Sequence, residues 1–190
     1  MAIEFELKYR ATPQVLAQVR EDLGGRWEEI QMRTTYYDAP DGSLSARKWT
    51  LRRRLENGVS ICTLKTPASQ GRQEHEVACD DIGTGIVELC KLGAPSELQE
   101  LTAGGVEEVC GAAFTRRART LQYPGFTAEI ALDQGVLFSG ENQRQLCELE
   151  VELKSGDGRE MQIYAQLFAA RYGLEPERKS KFKRALELRR

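Results

Sequence analysis

Hydrophobic and ionic residues alternate strictly over residues 3–9, which read IEFELKY. A period of two predicts a β-strand with one apolar face and one charged face. The charged face carries Glu4, Glu6 and Lys8, spaced about 7 Å apart from one to the next. Two carboxylates and an ammonium group in this arrangement suit one divalent cation and one phosphate. A solvated strand face has the same pattern, so the other strands decide between the two interpretations.

The strand pattern returns along the chain, and turn residues separate the copies. Asn57-Gly58 stands between two of these stretches and is the strongest short signal for a hairpin. Gln134-Gly135 is expected to end one strand before a short one begins. The further predicted strands cover residues 26–38, 49–55, 59–65, 72–77, 113–121, 126–133, 136–138 and 147–153.

Helical periodicity is confined to a few segments of the chain. Residues 13–23 follow the N-cap pair Thr12-Pro13 and stop at Gly24-Gly25. A second amphipathic helix is predicted from the apolar spacing over residues 161–172. Two or three short helices are expected within residues 81–112, whose pattern suggests no chemistry.

About eight strands and few helices predict an α+β protein built on a closed or nearly closed antiparallel barrel. If the ionic faces point inward, the helices cover the apolar faces and the lumen holds charges of both signs. Unpaired buried charges cost several kcal/mol each, so such a lumen requires ligands. A polyanion bound together with a divalent metal matches this charge distribution.

Composition narrows the functional classes. The 190 residues have a net charge of −2, so no global basic field favours nucleic acid or an anionic membrane. The N-terminus lacks the features of a signal peptide, and no apolar run reaches the length of a membrane span. Five scattered cysteines and a single histidine argue against disulfides, zinc and a histidine-activated nucleophile. We expect a cytoplasmic protein of one domain, residues 1–190.

The ordered set of motifs resembles the CYTH superfamily, also known as the triphosphate tunnel metalloenzymes. The match begins with Glu4-x-Glu6-x-Lys8 and continues through Tyr36-Tyr37-Asp38, Leu51-Arg52-Arg53-Arg54, Lys65, Arg72-x-Glu74 and the CELEVEL segment of residues 147–153. Residues 129–135 and 147–153 are most similar to bacterial inorganic triphosphatases. Those proteins often carry a C-terminal helical CHAD domain, so this chain is expected to be either a stand-alone protein or an excised domain.

The resemblance implies an eight-stranded tunnel in which Mg²⁺ or Mn²⁺ assists the hydrolysis of tripolyphosphate to pyrophosphate and phosphate. Glu4, Glu6 and Lys8 are the implied catalytic residues. The implied metal ligands are Glu4, Glu6, Glu150 and Glu152, with Glu129 and Asp133 contributing or nearby. The implied phosphate-binding residues are Lys8, Arg52, Arg54, Lys65, Arg72, Arg116 and Lys181.

Three alternatives remain open at this stage. The same fold supports a class IV adenylyl cyclase and a thiamine triphosphatase. A third alternative is a non-catalytic module that binds polyphosphate. The resemblance also leaves a homodimer open, and the sequence does not decide between Mg²⁺ and Mn²⁺.

Overall fold

The computed structural model describes residues 5–68 and 72–189, and almost half of the described chain forms one antiparallel sheet. The sheet has nine strands in this part of the chain: β1 (Glu6–Arg10), β2 (Glu28–Asp38), β3 (Thr50–Glu56), β4 (Val59–Pro67), β5 (Arg72–Ala78), β6 (Glu107–Tyr123), β7 (Phe126–Ser139), β8 (Asn142–Gly156) and β9 (Glu175–Pro176).

The hydrogen-bonded order of the sheet is β5-β4-β3-β2-β6-β7-β8-β1-β9, and every pairing is antiparallel. This confirms the α+β class and the antiparallel sheet. The strand count differs from the predicted eight because β9, a two-residue strand too short to show a period, pairs with β1. Within residues 5–68 and 72–189 no pairing joins β5 to β9, so hydrogen bonds do not close this part of the sheet into a ring.

The strands β6 and β7 are longer than the sequence predicts. β6 begins at Glu107, so the last part of the segment expected to be helical is a strand. β7 runs without a break through Gln134-Gly135, where a strand end was expected. Gly135 pairs with Phe114 of β6, and a Cβ at this position would lie 2.6 Å from the Phe114 Cβ. The glycine therefore allows close packing of the two strands and does not end β7.

Six α-helices surround the sheet in the described residues. Thr12 caps the first helix as predicted, since its Oγ1 accepts a hydrogen bond from the Val15 amide at 3.3 Å. The last helix lies in the basic tail and was not predicted. The helices are α1 (Pro13–Leu23), α2 (Ser43–Ala46), α3 (Ile82–Lys91), α4 (Glu97–Leu101), α5 (Gly158–Tyr172) and α6 (Lys181–Leu186), followed by a 3₁₀ helix at Glu187–Arg189.

The helices divide the apolar residues into three clusters. The helices α1 and α5 cover one part of the sheet, where Ile130, Leu149 and Met161 are fully buried. The helices α3 and α4 cover β3 and β4 in the same way. The third cluster differs, because α6 packs on the opposite face of the sheet, against Tyr36 and Leu137. That face carries the ionic residues of the strands, so α6 lies beside the charges. No helix among the described residues has the length and apolarity needed to span a bilayer.

Replacement of Gly135 by alanine is expected to destabilise the protein by about 1–3 kcal/mol, because the new methyl group overlaps the β6 backbone. Urea unfolding measures the change. Gly104→Ala is the matched control, since a Cβ there meets nothing within 4 Å, and we expect a change within about 0.5 kcal/mol. Equal stability of the two variants would contradict this account of the β6–β7 packing.

Candidate functional site

The ionic face of the sheet encloses a cavity of about 390 Å³. It is lined by β1 to β6, by β8 and by the segment that leads into α6. All seven bases implied by the resemblance line this cavity: Lys8, Arg52, Arg54, Lys65, Arg72, Arg116 and Lys181. Among the implied acids, Glu6, Glu150 and Glu152 line it as well. Glu4 lies outside the described residues.

One wall of the cavity is basic and belongs to β3 and β4. Arg52 and Lys65 both contact Glu74 of β5, at 3.3 and 3.2 Å. Arg52 and Arg54 each approach Glu76 to 3.8 Å. The side-chain Nε atoms of both arginines are nevertheless buried and have no hydrogen-bond partner in the described part of the chain. Burial and the neighbouring Arg52 lower the pKa of Arg54. Since buried donors are usually hydrogen-bonded, these two Nε groups lack an acceptor among the described residues.

A second group of charges, the ionic hub, lies where β6, β7 and β8 meet α6. Its acids are Asp133, Glu148 and Glu150, whose oxygens approach within 4.8 Å of one another. Its bases are Arg116, Lys181 and Arg184.

Each base of the ionic hub contacts at least one acid directly. Arg116 donates a paired hydrogen bond to Asp133 at 2.8 and 2.7 Å and also contacts Glu150. Lys181 lies 2.8 Å from Asp133 and 2.9 Å from Glu150, and it contacts Glu148. Three acids thus face three bases, and the hub is balanced internally.

Ion pairing decides the protonation of the hub. Burial raises the pKa of Glu150, but Lys181 and Arg116 outweigh it and leave that pKa well below its ordinary value. Burial lowers the pKa of Lys181, but the three carboxylates raise it by a larger amount. The pKa of Lys181 is therefore well above its usual range. The pKa of Glu148 is raised by burial and by the nearby Glu150, despite its own bases.

A third group, the acid row, crosses three neighbouring strands. Glu6 pairs in register with Glu152, and Glu152 pairs in register with Glu129. Lys8 lies 2.9 Å from Glu6, and Lys154 lies 2.9 Å from Glu152 and 3.6 Å from Glu129. Like charges directly opposite each other destabilise a sheet, and among the described residues Lys8 and Lys154 contact these three carboxylates.

The two acidic groups differ in their fitness for a metal. The acids of the ionic hub are close together, but arginine and lysine already occupy their oxygens. The acid row brings three carboxylates of neighbouring strands into register, and oxygen ligands of this type suit Mg²⁺ or Mn²⁺. The implied metal ligands are therefore divided: Glu6, Glu129 and Glu152 lie in the acid row, whereas Asp133 and Glu150 lie in the hub.

Some residues of the site were missed or undervalued from sequence. Glu148 shares the parity of Glu150 and is fully buried, so the alternation of β8 could have placed it. Arg184 gave no usable signal, because α6 was not predicted. Tyr36 belongs to the Tyr36-Tyr37-Asp38 motif. It packs on Phe182 with ring centroids 5.0 Å apart and also lines the cavity.

Fold and site together define a protein in which one antiparallel sheet surrounds a cavity with basic and acidic walls. A family model described as the CYTH domain matches residues 2–186. The chain belongs to the CYTH family.

Two curated relatives are similar in sequence. An inorganic triphosphatase of Haemophilus influenzae is 27% identical over 166 residues, which cover 83% of this chain and 47% of the relative. A thiamine-triphosphatase of Macaca fascicularis is 32% identical over 137 residues, which cover 67% of this chain and 58% of the relative. The chain thus spans about half the length of the curated relatives it matches.

Two solved structures show the same fold. A protein of Pyrococcus horikoshii OT3 superposes with a TM-score of 0.65 at 24% identity, covering 97% of this chain and 98% of the other. A Hippeastrum protein named as an adenylyl cyclase, and reported to have a dominant triphosphatase activity, has a TM-score of 0.69 at 17% identity. That alignment covers 95% of this chain and 94% of the other.

Replacement of Lys181 by methionine removes the base that contacts all three acids of the ionic hub. We expect the free energy of unfolding to fall by about 3–5 kcal/mol at neutral pH, because the three carboxylates stay buried without the Lys181 ammonium group. Lys91→Met is the control, since Lys91 forms one exposed pair with Glu88, and we expect a change below about 1 kcal/mol. Urea unfolding of both variants measures the difference.

The effect of Lys181→Met is expected to depend on pH. The lowered pKa of Glu150 means that its pairing stabilises the fold above the ordinary glutamate pKa of about 4.3. That stability is lost as the pH falls through the lower pKa of the folded state. The raised pKa of Lys181 gives stability that is complete below its ordinary pKa and lost at higher pH. The free energy of unfolding of the variant should therefore differ least from that of wild type at acid pH. A difference that is constant at every pH would contradict the charged hub.

Proposed function

We propose that this chain hydrolyses inorganic triphosphate to pyrophosphate and phosphate in a metal-dependent reaction. The observation that carries the proposal is the pair of buried Nε donors of Arg52 and Arg54, which have no partner in the described part of the chain. Phosphoryl oxygens are strong acceptors for arginine, so a phosphate chain would complete this wall. The basic wall shares its cavity with Glu6 and Glu152 of the acid row, as a metal–phosphate ligand requires.

The curated relatives support hydrolysis of a triphosphate. One is an inorganic triphosphatase and the other a thiamine-triphosphatase, and each matches at least two thirds of this chain. Basic side chains from six elements converge on the cavity, and this favours a substrate that carries phosphoryl groups along its whole length.

The bases would bind and polarise the phosphate chain. Arginine presents a planar fork of donors that fits phosphoryl oxygens, and Arg52 and Arg54 alternate on one strand so that both face the cavity. Lys8 and Lys65 add charge from β1 and β4, and Lys181 lines the same cavity while it balances the hub. Preorganised positive charge of this kind stabilises the charge that develops on a transferred phosphoryl group.

The carboxylates of the acid row are the ligands that we propose for a divalent cation. Glu6, Glu129 and Glu152 would hold Mg²⁺ or Mn²⁺, and the sequence predicts that Glu4 shares in this role. A bound divalent ion supplies neutralisation of phosphoryl oxygens and a lowered pKa for coordinated water. A carboxylate of the cavity would accept the proton of the attacking water, since His75 lies on the opposite face of β5 from Glu74 and Glu76.

The first test is phosphate release from tripolyphosphate with Mg²⁺ or Mn²⁺, with ATP and thiamine triphosphate as parallel substrates and EDTA as a control. Arg54→Gln should lower kcat/KM for tripolyphosphate by about 10²–10³, because it removes one preorganised donor. Arg53→Gln is the matched control. Arg53 lies between the two cavity arginines, faces away from them and donates to the Asp80 carbonyl at 2.6 Å. We expect near wild-type activity from this control.

Several outcomes would contradict the proposal. No phosphate release from tripolyphosphate in the presence of either metal would exclude it. Pyrophosphate and cyclic AMP formed from ATP would identify a cyclase, and faster release from thiamine triphosphate would identify a thiamine triphosphatase. Tight binding of tripolyphosphate without turnover would identify a binding module.

Glu152→Gln tests the acid row through metal affinity. We expect Mn²⁺ to bind at least about tenfold more weakly, because the central carboxylate of the row loses its charge. Isothermal titration with Mn²⁺ alone gives this affinity independently of turnover. Glu141→Gln, an exposed residue in the β7–β8 turn, is the control. Equal Mn²⁺ affinity in both variants would exclude the acid row as the metal site.

A further inference from the structure

The segment that follows β9 and ends at the first residue of the 3₁₀ helix, residues 177–187, is strongly basic. It contains five bases and two acids, Glu177 and Glu187. Three of its bases are matched by carboxylates in the structure. Lys179 pairs with Glu187 at 2.8 Å, Lys181 belongs to the ionic hub, and Arg184 contacts Glu148 and approaches Glu177 to 3.8 Å.

The other two bases of the segment, Arg178 and Lys183, differ from these three. Both are exposed, and both line the cavity of the candidate site. Neither forms an ion pair with any acid of the described chain. The bases deeper in the cavity are much less exposed, with 13% for Arg52 and 12% for Lys181. Arg178 and Lys183 therefore form a basic rim at the solvent side of the cavity.

The backbone of the basic rim is fixed to the sheet. The Glu177 amide donates to the Lys8 carbonyl at 2.8 Å, and the Glu177 carboxylate accepts from Arg10 at 2.8 Å. These bonds hold Glu177 beside Lys8 on β1, and Arg178 is the next residue of the chain. The Lys183 amide donates to Ser180 Oγ at 3.1 Å, which fixes the first turn of α6. The rim bases thus continue the bases of the cavity outward from Lys8 and Lys181.

We propose that Arg178 and Lys183 form an outer anion subsite that binds the additional phosphoryl units of linear polyphosphates longer than triphosphate. The inference rests on the proposed function, because the inner bases must hold one end of the chain. A longer phosphate chain has to leave the cavity past the rim, and it carries a charge on every unit. Exposed cations attract such a polyanion mainly through charge, and salt weakens this attraction. The basic rim therefore selects for chain length.

The test compares the affinities of the protein for tripolyphosphate and for a longer linear polyphosphate, measured by isothermal titration without added metal. We expect the double variant Arg178→Gln/Lys183→Gln to bind the longer chain about three- to tenfold more weakly, as for two exposed ionic contacts. Its affinity for tripolyphosphate should fall less. The preference for the longer chain should also become less sensitive to salt in the double variant.

Lys179→Gln is the matched control, because Lys179 lies in the same basic segment but does not line the cavity. It should keep the wild-type ratio of the two affinities. An unchanged ratio in the double variant, or an equal loss in the control, would overturn the outer subsite. Wild-type protein that neither binds nor hydrolyses tripolyphosphate would instead refute the proposed function, so the two failures are distinguishable.

Discussion

The contact of Lys181 with three buried carboxylates is the interaction on which the inner face of the sheet depends. Asp133 and Glu150 come from different strands, and both lie within 2.9 Å of the same ammonium group. Without a base among them, β7 and β8 would place like charges side by side in a buried position. The hub therefore supplies structural balance at the inner end of the cavity and leaves the basic wall and the acid row for ligands.

The alternation of charged and apolar residues made much of this arrangement predictable. Period two placed Arg52, Arg54 and Glu150 on one face. The helices α1, α3, α4 and α5 cover the opposite face, as the hydrophobic pattern required, whereas α6 packs on the ionic face. Family motifs added Lys65 and Lys181, whose roles no local pattern defines. The antiparallel α+β class followed from strand number and turn signals.

The remaining features depend on contacts between residues distant in sequence. Gly135 has the local signature of a strand end, and only its pairing with Phe114 explains why the strand continues. The helix α6 has too few residues for a clear period, and its position follows from the ionic hub and the contact of Phe182 with Tyr36. The sequence also could not separate the acids of the ionic hub from those of the acid row, because both sets alternate with apolar residues along their strands. Only their contacts with residues distant in sequence distinguish them.

The position of α6 also has a consequence for biosynthesis. The strands that contribute Asp133, Glu148 and Glu150 are synthesised before Lys181 and Arg184. Until those two bases have left the ribosome, Arg116 is the one base of the hub that can pair with the three carboxylates. Completion of the inner face is therefore a late event in folding, and a nascent chain that stops before α6 holds an acidic, solvent-seeking surface where the finished protein has a balanced interior.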